Sequence, residues 1–221
     1  MRPGLDDKRL TAWNGLMIAA LAETGAALQA GLPEGLEGPD GDELLQAASG
    51  CAEFVLSALR DEQGRLLRSF NDGQAKILGY LEDHAYLLEG LIVLFEASCE
   101  ERWFQSAVEL AEEMIDRFAD PQGGGFFTTA TDGEELIARR KDLEDSPTPA
   151  GSSSAAAGLL RLAQLTGEER FERHGMSVLA LEHEIAGRHP SAFGHLLQAM
   201  HYHLAPARPL ACPVPPLAPR P

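Results

Sequence analysis

The chain has 221 residues, enough to bury a real core without disulfides or metals. Its 34 acidic side chains outweigh 18 basic ones, a formal charge of −16, which argues against nucleic acid and anionic membrane as partners. A hydrophobic share of 44 % excludes wholesale disorder. The three cysteines, Cys51, Cys99 and Cys212, show no C-x-x-C and no zinc-type Cys/His spacing. That pattern predicts free thiols in a reducing compartment, and a cytoplasmic location. No apolar run reaches the ~18 residues of a membrane span.

The pattern is helical nearly throughout. Trp13 to Leu28 is rich in Ala, Leu and Met, and Leu16 to Ala22 leaves no polar face, the mark of a buried helix. Glu43 to Leu59 carries one apolar face, and Asp40 with Glu43 reads as a capping box. Leu66 to Phe70 is a candidate strand. Helices are expected at Asp83 to Ser98 and at Phe104 to Phe118. Asp120-Pro121-Gln122-Gly123 is a turn that feeds a short β segment, Gly123 to Thr129. Ser153 to Leu165 ends at Thr166-Gly167, where glycine supplies a left-handed cap. Phe171 to Ile185 and Ala192 to Leu204 complete the helices. The segment 206–221 holds 7 of the 14 prolines and is expected to be a disordered tail. Cys51 and Cys99 fall on apolar helix faces and are expected in the core.

Two internal offsets organise these elements. The helices near Trp13, Asp83 and Ser153 start 70 residues apart, and a helix-to-turn pattern at Ala52 to Leu66 recurs 59 residues later at Ala111 to Gly125. Units of this length, with β excursions between hairpins, favour a toroid with inner and outer helical rings over a solenoid of shorter repeats. The expected class is all-α: a partial toroid of about three hairpins over residues 1–205.

Particular blocks carry a resemblance. Arg2-Pro3 and Leu5-Asp6-Asp7-Lys8, then Leu10-Thr11-Ala12-Trp13-Asn14-Gly15-Leu16-Met17, resemble the spermatogenesis-associated protein 20-like family of thioredoxin-domain proteins. Gly79-Tyr80-Leu81-Glu82-Asp83-His84-Ala85-Tyr86 resembles its next block, which usually has an aromatic residue where His84 stands. Gly123 to Phe127 and Arg140 to Asp145 resemble later ones, so the likeness runs from about Arg2 to Leu204. It implies the later part of a six-hairpin glycosidase-like (α/α)6 domain, similar also to N-acylglucosamine 2-epimerases, and a thioredoxin-like domain elsewhere. The family pattern Pro-Ser-x-Asn-Ser stands here as Pro149-Ala150-Gly151-Ser152-Ser153, with serine in place of Asn.

Three acidic pairs, Asp6-Asp7, Glu82-Asp83 and Glu144-Asp145, precede three helices of the 70-residue series. In a hairpin toroid they would gather at one rim, where paired carboxylates suit glycoside chemistry. Acidic residues before helices also cap free N–H groups and complement the dipole, which needs no ligand. Asp83 is the expected general acid or base and Asp7 its partner, about 5–9.5 Å away if the pair hydrolyses a sugar. Trp13, Asn14, Glu82 and Tyr86 are the expected substrate contacts; Trp13 as core filler and Asn14 as a backbone-bonding residue are the structural alternatives. The seven histidines show no metal spacing, and neither a metal nor a cofactor is expected. Arg139-Arg140-Lys141 reads as part of a surface ion-pair network.

These readings give a sugar-binding or sugar-processing module, glycosidase- or epimerase-like. The alternative is a non-catalytic scaffold for a thioredoxin-like domain. The expected partners are a sugar, a thioredoxin-like domain or the missing part of the barrel, or a second copy joined across the open edge of the arc.

Overall fold

The computed structural model describes residues 6–31, 38–133 and 137–205. The prolines of 206–221, Arg2 to Leu5 and Glu134-Glu135 lie outside them. The helices are α1 (Thr11–Gln29), α2 (Gly41–Ala58), α3 (Leu81–Ser98), α4 (Glu101–Phe118), α5 (Gly151–Thr166), α6 (Glu169–Arg188) and α7 (Gly194–Leu204). Short strands β1 (Arg9–Leu10), β2 (Leu67–Asn71) and β3 (Gln74–Leu78) form one antiparallel sheet in that order.

Helices alternate between two layers. α1 packs on α3, α3 on α5 and α5 on α7, while α2, α4 and α6 pair behind α1, α3 and α5. This is the expected arc of three hairpins, with α7 added as a fourth inner helix. The first residues of α1, α3 and α5 are Thr11, Leu81 and Gly151, spaced by 70.

Inner helices have neighbours on both sides and behind, so they carry small residues where backbones meet. A Cβ on Gly15 would come within 2.6 Å of the Leu87 backbone nitrogen, and one on Gly90 within 2.7 Å of the Gly15 carbonyl oxygen. A Cβ on Gly158 of α5 would lie 2.9 Å from Leu88. These contacts follow the chain direction in both helices: Gly151 meets Leu81 and Glu82, and Gly158 meets Leu88 and Glu89. The inner helices therefore run parallel, with their N-termini at one rim. The outer helix α4 is amphipathic instead, burying Phe104, Ala107, Val108, Ala111, Met114, Ile115 and Phe118 on one face.

Several local expectations need correction. The β segment at Gly123 to Thr129 reduces to a single bridge between Ala119 and Phe126, because Gly124 and Gly125 both adopt positive φ and break any strand. Leu66 to Phe70 is β2, and it turns through Asp72-Gly73 (φ 48° and 73°) into a strand the hydrophobic pattern did not suggest. Cys99 is exposed, not core: it caps α3 in the left-handed conformation. Asp40 does cap α2, its side chain accepting from the Asp42 N–H.

Candidate functional site

The rim residues expected from the sequence fall into three environments. Asp83 is completely buried. Its Oδ1 accepts from the Ala12 N–H at 3.0 Å; its Oδ2 accepts from the Tyr80 N–H at 2.9 Å and from Arg68 at 3.0 Å. Burial pushes its carboxyl above the ordinary range, opposed in part by the Tyr80 N–H, the Arg68 charge and the Ala12 N–H. In this position Asp83 ties the start of α3 to the start of α1 and to β2, and it has no exposed oxygen to share with Asp7, which is exposed ahead of β1.

Asn14 donates to the Leu10 carbonyl and accepts from the Cys51 thiol, bonds internal to the first hairpin. Tyr86 is buried, and its hydroxyl donates to the Pro149 carbonyl, fastening α3 to the segment before α5. Trp13 is 67 % exposed on α1. Glu82 is partly exposed and accepts from Arg68 at 2.7 Å, while the Arg68 guanidinium lies 4.7 Å from the centre of the Tyr80 ring. A recess of about 320 Å³ opens beside Tyr80, walled by Ile77, Gly79, Thr129 and Ala130.

A second constellation lies on the concave side of the arc. Glu82, Glu89 and Glu96 stand seven residues apart along α3, close to two helical turns each, so they form one stripe. Each meets a cation from a different element: Arg68 of β2, His195 of α7 and Arg161 of α5. His195 is the most elaborately held. Its Nε2 lies 3.0 and 3.1 Å from the two Glu89 oxygens, and its Nδ1 is 3.3 Å from the Gln198 side-chain oxygen. Its backbone N–H donates to Asp145 Oδ2 at 2.8 Å, while Asp145 Oδ1 accepts from the Ala150 N–H that opens α5.

α5 separates α3 from α7, and α6 covers its outer side, so the Glu89–His195 bridge crosses its inner face. Gly158 lies beside it: a Cβ at that position would be in ordinary van der Waals contact with the Glu89 side chain, 3.6 Å away. Burial alone would lower the proton affinity of His195. The hydrogen bond and charge of Glu89, with Asp145 and Gln198, raise it above the usual histidine value. Both ring nitrogens face oxygen acceptors, which favours the doubly protonated ring.

Two further buried groups lie away from this face. His84 is buried with Nδ1 2.9 Å from the Tyr80 carbonyl and Nε2 3.6 Å from Glu113. Burial would raise Glu113, but His84 and Arg60, the latter donating at 2.7 Å, hold it at about 2. Glu182 is completely buried and neither carboxyl oxygen has a hydrogen-bond partner. The basic cluster serves internal bonds: Arg139 donates to the Thr129 and Arg117 carbonyls, and Lys141 pairs with Asp120 at 2.8 Å. Among the described residues, no group of three or more His, Cys, Asp or Glu side chains is placed to hold a metal ion. No described helix is long and apolar enough to cross a membrane.

An arc of parallel inner helices backed by outer ones is the architecture of the six-hairpin, (α/α)6 toroid proteins. Solved structures agree. D-mannose isomerase aligns with a TM-score of 0.64 at 16 % identity, covering 82 % of this chain and 46 % of its own. Cellobiose 2-epimerase from Spirochaeta thermophila aligns at 0.61 and 16 % identity over 79 % and 43 %, and a GH76 α-mannanase from Bacteroides thetaiotaomicron at 0.62 and 15 % over 83 % and 47 %. Over most of its length the chain is similar in sequence to spermatogenesis-associated protein 20. It is 34 % identical to human spermatogenesis-associated protein 20 over 209 residues and 26 % identical to an uncharacterized protein of Caenorhabditis elegans over 207. These alignments cover 90 % of this chain, which spans about a quarter of the length of those relatives. No protein-family model matches it.

Proposed function

We propose that the concave face of the arc binds and processes a carbohydrate, with Glu89 and His195 as its acid–base pair. The observation that carries this reading is the Glu89–His195 bridge across α5, with His195 pinned by Asp145 at the start of α7. A histidine whose proton affinity is raised by a paired carboxylate is suited to donate a proton and take it back. The structural neighbours are named as epimerases, an isomerase and a mannanase, so sugars are the substrate class this fold suggests. Moving a proton at a carbon beside a sugar carbonyl requires one such group. Glu82 keeps the substrate-contact role expected from the sequence, two turns nearer the rim on the same stripe. Asp83 has a positioning role, holding the first turns of α1 and α3 together. We place the chain in the cytoplasm, on its three sparse cysteines with no C-x-x-C spacing.

The test is incubation of the chain with mannose or cellobiose in D2O. Deuterium should enter the sugar at C2, and His195→Gln should slow this by about 100-fold or more while sugar binding by titration calorimetry persists. No exchange and no binding with either sugar would refute the reading.

A further inference from the structure

The recess beside Tyr80 shares no wall residue with the concave stripe. Its walls come from the strand leading into α3, Ile77 to Tyr80, and from the segment after α4, Thr129 and Ala130 among them. α3 has both ring neighbours, α1 and α5, in place, so this is not an open edge of the arc. Ile77 has a φ of 67°, in the left-handed region that is costly for a β-branched residue. β2 and β3 pair Leu67 with Leu78 and Ser69 with Lys76, but the step between, Arg68 with Ile77, drops out of the ladder. The isoleucine side chain stands 58 % exposed at a cavity of about 320 Å³. Tyr80 is held from one side: the Arg68 guanidinium lies 4.7 Å from its ring centre and is itself fixed by Glu82 and Asp83. Thr129 Oγ1 is buried in the wall and, among the described residues, has no hydrogen-bond partner.

We infer that this recess is a second binding site, separate from the concave face, for an uncharged aromatic ring that bears one hydroxyl or amide group. Its volume lies at the low end of the ~300–1,000 Å³ of small-molecule sites, room for a single or fused ring. Ile77, Leu78 and Ala130 supply aliphatic walls, and Tyr80 supplies a ring already fixed for offset or edge-on packing. Among the described residues, no charged side chain lines the recess, which selects an uncharged ligand. The Thr129 and Tyr80 hydroxyls are the polar side-chain groups in these walls, too few partners for a sugar ring with a hydroxyl on most of its carbons. One hydroxyl or amide on the ligand meets Thr129 Oγ1 after a turn of χ1 and supplies the partner it lacks. The strain at Ile77 then has a use, because it stands an apolar side chain where it covers the bound ring.

Phenol and toluene, titrated into the isotope-labelled chain and followed by amide NMR, are the probes. Phenol should shift the amides of Ile77 to Tyr80 and of Thr129 to Gly133 while those of Glu89 and His195 stay in place. Thr129→Val keeps the side-chain shape and removes the hydroxyl. It should weaken phenol about fivefold, the worth of one net hydrogen bond, and leave toluene within about twofold. Ile77→Gly should weaken both probes at least about threefold through the lost apolar wall. The same variant should melt no lower than the wild type, because glycine takes a positive φ without strain. Shifts confined to other residues, a phenol-to-toluene ratio indifferent to Thr129→Val, or binding unchanged in Ile77→Gly would each overturn the proposal. Mannose shifting these amides where phenol does not would overturn it as well, and would give the recess to a sugar.

Discussion

Glu182 offers the sharpest test of the electrostatics, through its isosteric replacement Glu182→Gln. The carboxyl is completely buried with no hydrogen-bond partner on either oxygen; the nearby Ser152 hydroxyl donates instead to the Asp142 carbonyl. Burial pushes it up to about 8, Ser152 acts in the lowering direction, and the charges of Asp145 and Asp142 add to the rise. With a folded value above the unfolded one, the folded state binds more protons between pH 4.5 and 8, so this group makes stability fall as pH rises through that window. At pH 7 the offset from 4.5 corresponds to roughly 3 kcal/mol, and for a chain of this size roughly 1 kcal/mol moves Tm by about 2–4 °C. Gln cannot ionise, so the variant should gain on the wild type steadily from pH 4.5 toward pH 8. The amide's own unmet hydrogen bonds offset the whole curve, so the change of the Tm difference with pH is the readout. Differential scanning calorimetry at half-unit steps supplies it. A Tm difference flat between pH 4.5 and 8 would refute the argument.

Asp83→Ala strands the Ala12 and Tyr80 N–H groups and leaves the half-buried Arg68 to Glu82 alone, and should cost about 2–4 kcal/mol in urea unfolding; a loss under about 1 kcal/mol would show that these bonds are not formed. Gly15→Ala forces a Cβ into the Leu87 backbone and should lower the urea midpoint by about 1–3 kcal/mol equivalent, although alanine is the better helix former. Glu113 behaves oppositely to Glu182. Its carboxyl is held at about 2, so its stabilisation is present above pH 4.5 and lost as pH falls toward 2. Glu113→Gln should flatten the acid limb of the stability curve there, and a limb as steep as the wild type's would count against the Arg60 and His84 contacts.

The ring architecture was legible because inner and outer helices need different surfaces. The 70-residue spacing fixed which helices share the inner layer, whereas Leu16 to Ala22, read as buried on every side, buries only Ile18 and Ala22 fully and leaves Met17 and Ala20 exposed. Asp72-Gly73 between two short runs was a readable hairpin signal, masked by the polar Gln74 and Lys76 of the second strand. At the rim the capping reading of Asp83 accounts for its bonds, and the aromatic at 86 went to a structural hydrogen bond. The concave face was harder. The seven-residue spacing of Glu82, Glu89 and Glu96 was present in the sequence, but their partners were not. The partner of Glu89, His195, lies 106 residues away, and the partner of Glu96 65 residues away. Only the packing of α3 and α7 around α5 brings such pairs together.

The clasp at Asp145 bears on time as well as on geometry. With 11 residues, α7 is shorter than the ~12–15 at which isolated helices become marginal. Its helicity therefore depends on docking against α5, through buried Phe193, Leu196 and Ala199 and the Asp145 bond to its first turn. Undocking of α7 would take His195 away from Glu89. Any ligand that needs both side chains meets a competent face only for the docked fraction of molecules, and its apparent affinity is scaled by that fraction. Amide exchange in α7 measures the opening directly, so the assembly of the concave face can be followed separately from the unfolding of the arc.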